Sequence, residues 1–247
     1  MIIDELLLFL RSKTMFMTGQ NFNILNSCAT LTTADFFREM PGIPKATVYS
    51  RIRSMVIRGI VQRVGRGVYE RTGKSAFAFE ASESMRAIAS SITKDFPYIN
   101  YCVWDLSPIN TLAQHLINFN VTIVDVDREA VEAVYQRLRD IHEKVLTTKR
   151  MFDGLADYNG FILVRRLVTD APLMKRDGIS LPTLEKFLVD IALDKEFFIF
   201  QGYEIEHIFS NAYTIYAMNR NRLLRYAGRK NHRDEIERLL INNSSIN

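Results

Sequence analysis

The chain has 247 residues, 47% hydrophobic and 24% charged, the composition of an ordinary soluble globular protein with enough length to bury a core in one large domain or two modest ones. No apolar run approaches the roughly 20 residues that a membrane-spanning helix needs. Cys28 and Cys102 give neither a metal-ligand set nor a disulfide framework, so the sequence reads as a cytoplasmic chain with reduced thiols. The net charge of +4 is unevenly spread: residues 41–75 hold eight Lys/Arg against one acidic residue, whereas residues 76–247 hold 21 against 23. A basic segment on a near-neutral body is the charge footprint of a phosphate-binding module.

In chain order, MIIDELLLFLRSK carries Asp4 and Glu5 where a signal peptide would be basic. Its apolar residues recur at helical spacing, which predicts a first folded helix over Ile2–Arg11. Thr32 and Thr33 are N-cap candidates for a second helix, Thr33–Met40, followed by the turn Met40-Pro41-Gly42-Ile43-Pro44. The third helix is expected from Pro44 to Arg58, with Gly59 past its C-terminus. Val48, Ile52, Met55 and Val56 form its apolar stripe. The opposite face carries Ala46, Thr47, Ser50, Arg53 and Ser54, with Tyr49 and Arg51 on its flanks, Lys45 at the first turn and no carboxylate anywhere. Small and hydroxyl-bearing residues let a helix enter the major groove, while Arg and Tyr reach base edges and phosphates. Two short strands then flank Gly65-Arg66-Gly67, whose glycines suit positive φ and whose arginine stands at the tip of a wing.

The predicted boundary lies in Arg71–Ser75 and divides the chain into a winged helix-turn-helix, residues 1–74, and a mixed α/β (α+β) domain, residues 75–247. In the second domain, strands are expected over Ile99–Trp104, Val121–Val126 and Phe161–Val168. Helices are expected over Ile109–Ile117, Arg128–Asp140, Leu181–Leu193 and, roughly, Tyr203–Leu240. Asp105, Asp125 and Asp127 fall at strand ends, where α/β enzymes place catalytic or metal-binding carboxylates, and Asp125 and Asp127 share a strand face. Asp105 also suits a turn and Asp127 a helix cap, and neither Asp125 nor Asp127 has a visible partner set for metal chemistry. The four histidines lack metal spacing. The chain carries no P-loop, GxGxxG, HExxH or GxSxG motif and no nuclease-like acidic-plus-Glu-x-Lys signature. The expectation is therefore no catalysis, no cofactor and no metal; a nuclease-like enzyme on nucleic acid with a carboxylate site in the second domain is the alternative. In Met218–Arg238, Arg225, Arg229 and Arg233 are candidate contacts for a partner protein or nucleic acid.

The segments Ala46-Thr47-Val48-Tyr49, Gly59 and Gly65-Arg66-Gly67-Val68-Tyr69, extended by Leu181–Asp190 and Asn221–Ala227, resemble the AbiEi-like type IV antitoxin regulators of abortive phage infection systems. The resemblance is to an N-terminal winged helix followed by an α/β antitoxin domain. It implies a repressor that binds duplex DNA at its own promoter. It also implies an antitoxin acting against a nucleotidyltransferase-like toxin without necessarily forming a stable complex with it. Thr14–Thr30 departs from a compact winged helix.

Overall fold

The computed structural model describes residues 30–57, 59–115, 120–153 and 160–244, so the expected helix Ile2–Arg11 lies outside the described residues. The chain divides into two compact units between Gly73 and Lys74, one residue before the expected boundary.

The first unit runs β1 (Thr30–Thr32), α1 (Thr33–Glu39), α2 (Lys45–Ile57), β2 (Val61–Gly65) and β3 (Val68–Arg71). The sheet order β1-β3-β2, antiparallel throughout, makes it a winged helix with β2 and β3 as the wing. Thr32 starts α1 with a capping box: its hydroxyl accepts from the Asp35 amide and the Asp35 carboxylate accepts from the Thr32 amide. Gly59, at φ +66, ends α2 in a Schellman turn in which Ile60 N–H donates to Met55 O and Gly59 N–H to Val56 O. Val48, Ile52 and Met55 bury one face of α2 against Leu31, Phe36, Met40, Val61 and Tyr69. At the wing, Gly67 alone takes positive φ, +72, while Gly65 remains in the strand and pairs with Val68. The turn thus needs one left-handed residue, not the two that the spacing suggested. Gly67 O accepts from the Thr33 amide and hydroxyl, which ties the wing to the start of α1.

The second unit is α+β. Its main sheet has the order β4-β5-β7-β6, formed by β4 (Tyr101–Asp105), β5 (Val121–Val126), β6 (Val145–Thr147) and β7 (Phe161–Arg166). β4 is antiparallel to β5, and β5, β7 and β6 run parallel. A helix missed by the sequence reading, α3 (Glu83–Asp95), packs against β4. The predicted helix after β4 is cut to α4 (Ile109–Leu112), because the Gln114 amide and the His115 ring are drawn to the Glu204 carboxylate instead. Residues 128–140 begin as a 3-10 turn and continue as α5 (Val131–Arg139). A short helix, α6 (Thr148–Asp153), follows β6.

Leu181–Leu193 is not one helix. Leu181 precedes Pro182, which disfavours helical backbone there, and it belongs to the hairpin β8 (Leu173–Arg176) and β9 (Ile179–Pro182). The hairpin turns at Asp177-Gly178, both at positive φ, a sequence signal for a two-residue turn. Then α7 (Leu184–Leu193) is buried from Leu184 to Ala192. The last helical region breaks into α8 (Tyr203–Ile215), α9 (Arg220–Arg229), capped by Asn219, and α10 (Arg233–Ser244), preceded by Asn231 at φ +63. No helix among the described residues is long and apolar enough to cross a membrane.

Candidate nucleic-acid interface and a buried charge cluster

Two places in the molecule concentrate chemistry-bearing side chains, one in each unit. In the first, burial of Val48, Ile52 and Met55 turns the other side of α2 outward, so Lys45, Ala46, Thr47, Ser50, Arg53 and Ser54 are all exposed. Tyr49 is exposed by 53% but rests edge-on against Phe37, with ring centroids 5.4 Å apart. Arg51 is half-buried and its Nη1 lies 3.5 Å from Met40 Sδ, so part of its reach is spent beside the helix-turn-helix core. Arg66 is exposed at the wing turn. Among the described residues, Lys45, Arg53 and Arg66 have no ion-pair partner.

The C-terminal basic stretch is more self-contained than its sequence suggests. Arg220 pairs with Glu237, Arg222 with Glu185, and Arg229 with Asp170. Arg225 and Arg233 are exposed on α9 and at the start of α10.

The cluster in the second unit was not foreseen. The parallel register of β5 with β7 sets Asp125 directly beside Arg165, and Trp104 of β4 lies diagonally across on the same face. Over this face α7 lays the stripe Lys186, Asp190 and Asp194 at four-residue intervals, and α9 adds Tyr226 and Lys230 at the same interval. Asp125 accepts from Trp104 Nε1 at 2.8 Å, Arg165 Nε at 2.8 Å and Lys186 Nζ at 2.6 Å. Asp190 accepts from Lys186 at 2.6 Å, Lys230 at 2.7 Å, the Tyr226 hydroxyl at 2.8 Å and Arg165 Nη2 at 3.3 Å. Asp194 takes Arg165 Nη1 at 2.9 Å and Lys230 Nζ. Nearby, Thr148 donates to Glu196 at 2.6 Å. The Arg165 guanidinium also lies over the rings of Trp104 and Phe197. The charged groups, with Thr148 and Tyr226, line a cavity of about 200 Å³.

Burial alone would neutralise these carboxylates, but neighbouring cations outweigh it at two of them. Desolvation pushes the Asp125 carboxyl up, yet Arg165 and Lys186 hold it below the ordinary carboxylate range. Asp190 is likewise pushed up by burial and held far down by Lys186, Lys230 and Arg165. Asp194 goes the other way: burial first and the Asp190 charge second keep its pKa raised against the pull of Arg165 and Lys230. Lys186 and Arg165 stay firmly protonated because Asp125 and its neighbours overcome their desolvation. Burial pushes the Cys102 thiol well above its usual range, and Cys102 is a free, buried side chain.

This arrangement corrects one reading and extends another. Asp125 has a set of cationic partners, which sequence reasoning did not reach because Arg165 and Lys186 lie 40 and 61 positions away. Asp127 does not converge with it and does not cap α5 by its side chain; its carboxylate accepts from the Asn100 amide at 2.7 Å. Asp105 is a turn residue, bonded to the Ser107 amide. Among the described residues, no group of three or more His, Cys, Asp or Glu side chains is placed to hold a metal ion. The clue in the sequence was charge inside apolar elements: Asp125 in VTIVDV, Arg165 in FILVRR, and Lys186 and Asp190 in LEKFLVDIAL.

The fold thus defines a two-unit protein, a winged helix and an α+β body built around an internal ion cluster. The chain belongs to DUF6577, a family of unknown function, which matches residues 47–246. No curated protein matches it.

Proposed function

We propose that the protein is a cytoplasmic regulator that binds duplex DNA at its own promoter through the winged helix and represses transcription, with no catalytic step of its own. The observation that carries this reading is the outer face of α2. Thr47, Ser50, Arg53 and Ser54 are exposed together on a helix without a carboxylate, and the adjoining wing presents Arg66. Hydroxyls and Arg on such a face suit base edges in the major groove, while Arg66 and Lys45 suit phosphates. The resemblance to AbiEi-like regulators extends the reading to an antitoxin role for the second unit against a nucleotidyltransferase-like toxin. There Arg225, Arg229 and Arg233 are the candidate contact residues.

The test is titration of the full chain with its own promoter duplex at several salt concentrations. Each phosphate neutralised should add about 0.9 to the slope of log K against log salt. Arg66→Ala should weaken binding to all duplexes and lower that slope by about 1. Binding that is absent or indifferent to salt overturns the reading.

A further inference from the structure

The buried ion cluster has one member unlike the others. Asp125 and Asp190 are each 1% exposed with their oxygens saturated, whereas Asp194 is 18% exposed at the cavity mouth. Asp194 also stands at the C-cap of α7, where the negative end of the helix dipole opposes a carboxylate. It is gripped at both oxygens: Arg165 Nη1 holds Oδ2 and Lys230 Nζ holds Oδ1. Both cations have deeper partners, Arg165 in Asp125 and Asp190, Lys230 in Asp190, so both remain in place without Asp194.

We propose that this mouth is a binding seat for a small monocarboxylic acid, with the Asp194 carboxylate occupying the ligand's place until the acid displaces it.

Charge balance sets the class. With Asp194 set aside, the lining holds the cations Arg165, Arg166, Lys186 and Lys230 against Asp125, Asp190 and Glu196, an excess of one positive charge that a single negative charge balances, as that of Asp194 does. A second negative charge would fall beside Asp190 and Glu196, so a dianion is disfavoured. Size narrows it further: about 200 Å³ lies below the roughly 300–1,000 Å³ of ordinary ligand pockets, hence a small acid. Beyond the seat the cavity offers Thr148, Val168 and Arg166, so a short chain with a methyl or hydroxyl fits the lining. The resistance of Asp194 to ionisation, from burial and Asp190, makes it the least firmly held carboxylate of the three. The inference stands whether or not the winged helix binds DNA.

The experiment is calorimetric titration and thermal melting of the full chain with acetate, propionate, butyrate and lactate, beside chloride and inorganic phosphate at matched ionic strength. In Asp194→Asn the competing charge is gone. Since a tethered group competes at millimolar or higher effective concentration, the acids should bind this variant about tenfold or more tighter than wild type. Lys230→Met should abolish the effect, and phosphate should not reproduce it. Asp194→Ala serves as the second variant, with the same expectation. Equal response to acid and chloride, equal affinity in wild type and the Asp194 variants, or binding that survives Lys230→Met each overturns the proposal. If neither Asp194 variant folds, wild type decides: an acid must raise its melting temperature but not that of Lys230→Met, and a series in which none does so overturns the seat.

Discussion

The two units treat positive charge in opposite ways. The winged helix leaves Lys45, Arg53 and Arg66 in solvent, where among the described residues no ion-pair partner holds them. The second unit buries Lys186 and Arg165 to 1% and 7% exposure and surrounds them with carboxylates. Exposed charges are screened and contribute little to the fold, so they remain available to an incoming anion. Buried charges lose hydration worth several kcal/mol per ion and must be neutralised within the fold, which makes each partner indispensable to the others. The same residue types therefore stay open to solvent in one unit and are structural, geometry-fixing elements in the other.

The sharpest way to break this comparison is Asp190→Ala. It removes the carboxylate that Lys186, Lys230, Arg165 and Tyr226 share and leaves the buried cations one counter-charge short, so urea unfolding should show a loss of about 3–5 kcal/mol. A loss no larger than that of a surface substitution would mean the cluster is solvated and the contrast false. Acid unfolding gives the same answer without mutation. Asp125 and Asp190 have lowered pKa values in the folded chain, so the stability they contribute is present above the ordinary carboxylate pKa of about 3.9. It is lost as pH falls from there toward the folded-state values. Asp194, with its pKa raised, contributes with the opposite sign, favouring the folded state as pH falls and losing that contribution as pH rises through its folded value. Melting temperature followed downward from neutral pH should therefore hold until about pH 4 and then drop.

On the other side of the comparison, Ser50→Ala or Arg53→Ala should leave melting unchanged while altering the preference among DNA sequences by about 1–3 kcal/mol per lost base contact, read by competition with altered duplexes. Uniform loss across sequences would overturn the proposed docking of α2 in the major groove. Smaller still, Gly67→Ala should destabilise the wing by about 1–2 kcal/mol in a melting curve. An alanine there takes φ +72, and its Cβ would come 2.9 Å from Thr33 Oγ1.

The winged helix was largely legible because its signals are short-range. The Thr32 cap, the apolar stripe Val48, Ile52 and Met55, Gly59 past the helix end and the Gly-Arg-Gly turn each act within a few residues of themselves. What was missed in that unit, β1, is a strand of three residues that exists only through pairing with β3. In the second unit the errors share a cause. Leu181–Leu193 has helical spacing throughout, but Pro182 and the Asp177-Gly178 turn place its start in a hairpin. The helix expected to reach Ile117 ends at Leu112, and Glu204, distant in sequence, captures the Gln114 amide. Helix α3 went unpredicted although Ser82 caps it and Met85, Ile88, Ala89 and Ile92 bury one face.

The sequence by itself determined the order of two units, the basic character of the first, and which face of α2 is apolar and which carries Thr47, Ser50 and Arg53. Those properties follow from composition, caps and a 3.6-residue period, all local. Only the tertiary structure decided that Asp125, Arg165, Lys186, Asp190, Asp194, Tyr226 and Lys230 meet. Their meeting depends on the register of β5 with β7 and on which helix faces lie over that sheet. Register and packing are set by the burial of many apolar side chains at once. A charged residue inside an apolar run announces only that it will need a partner, and the fold chooses which.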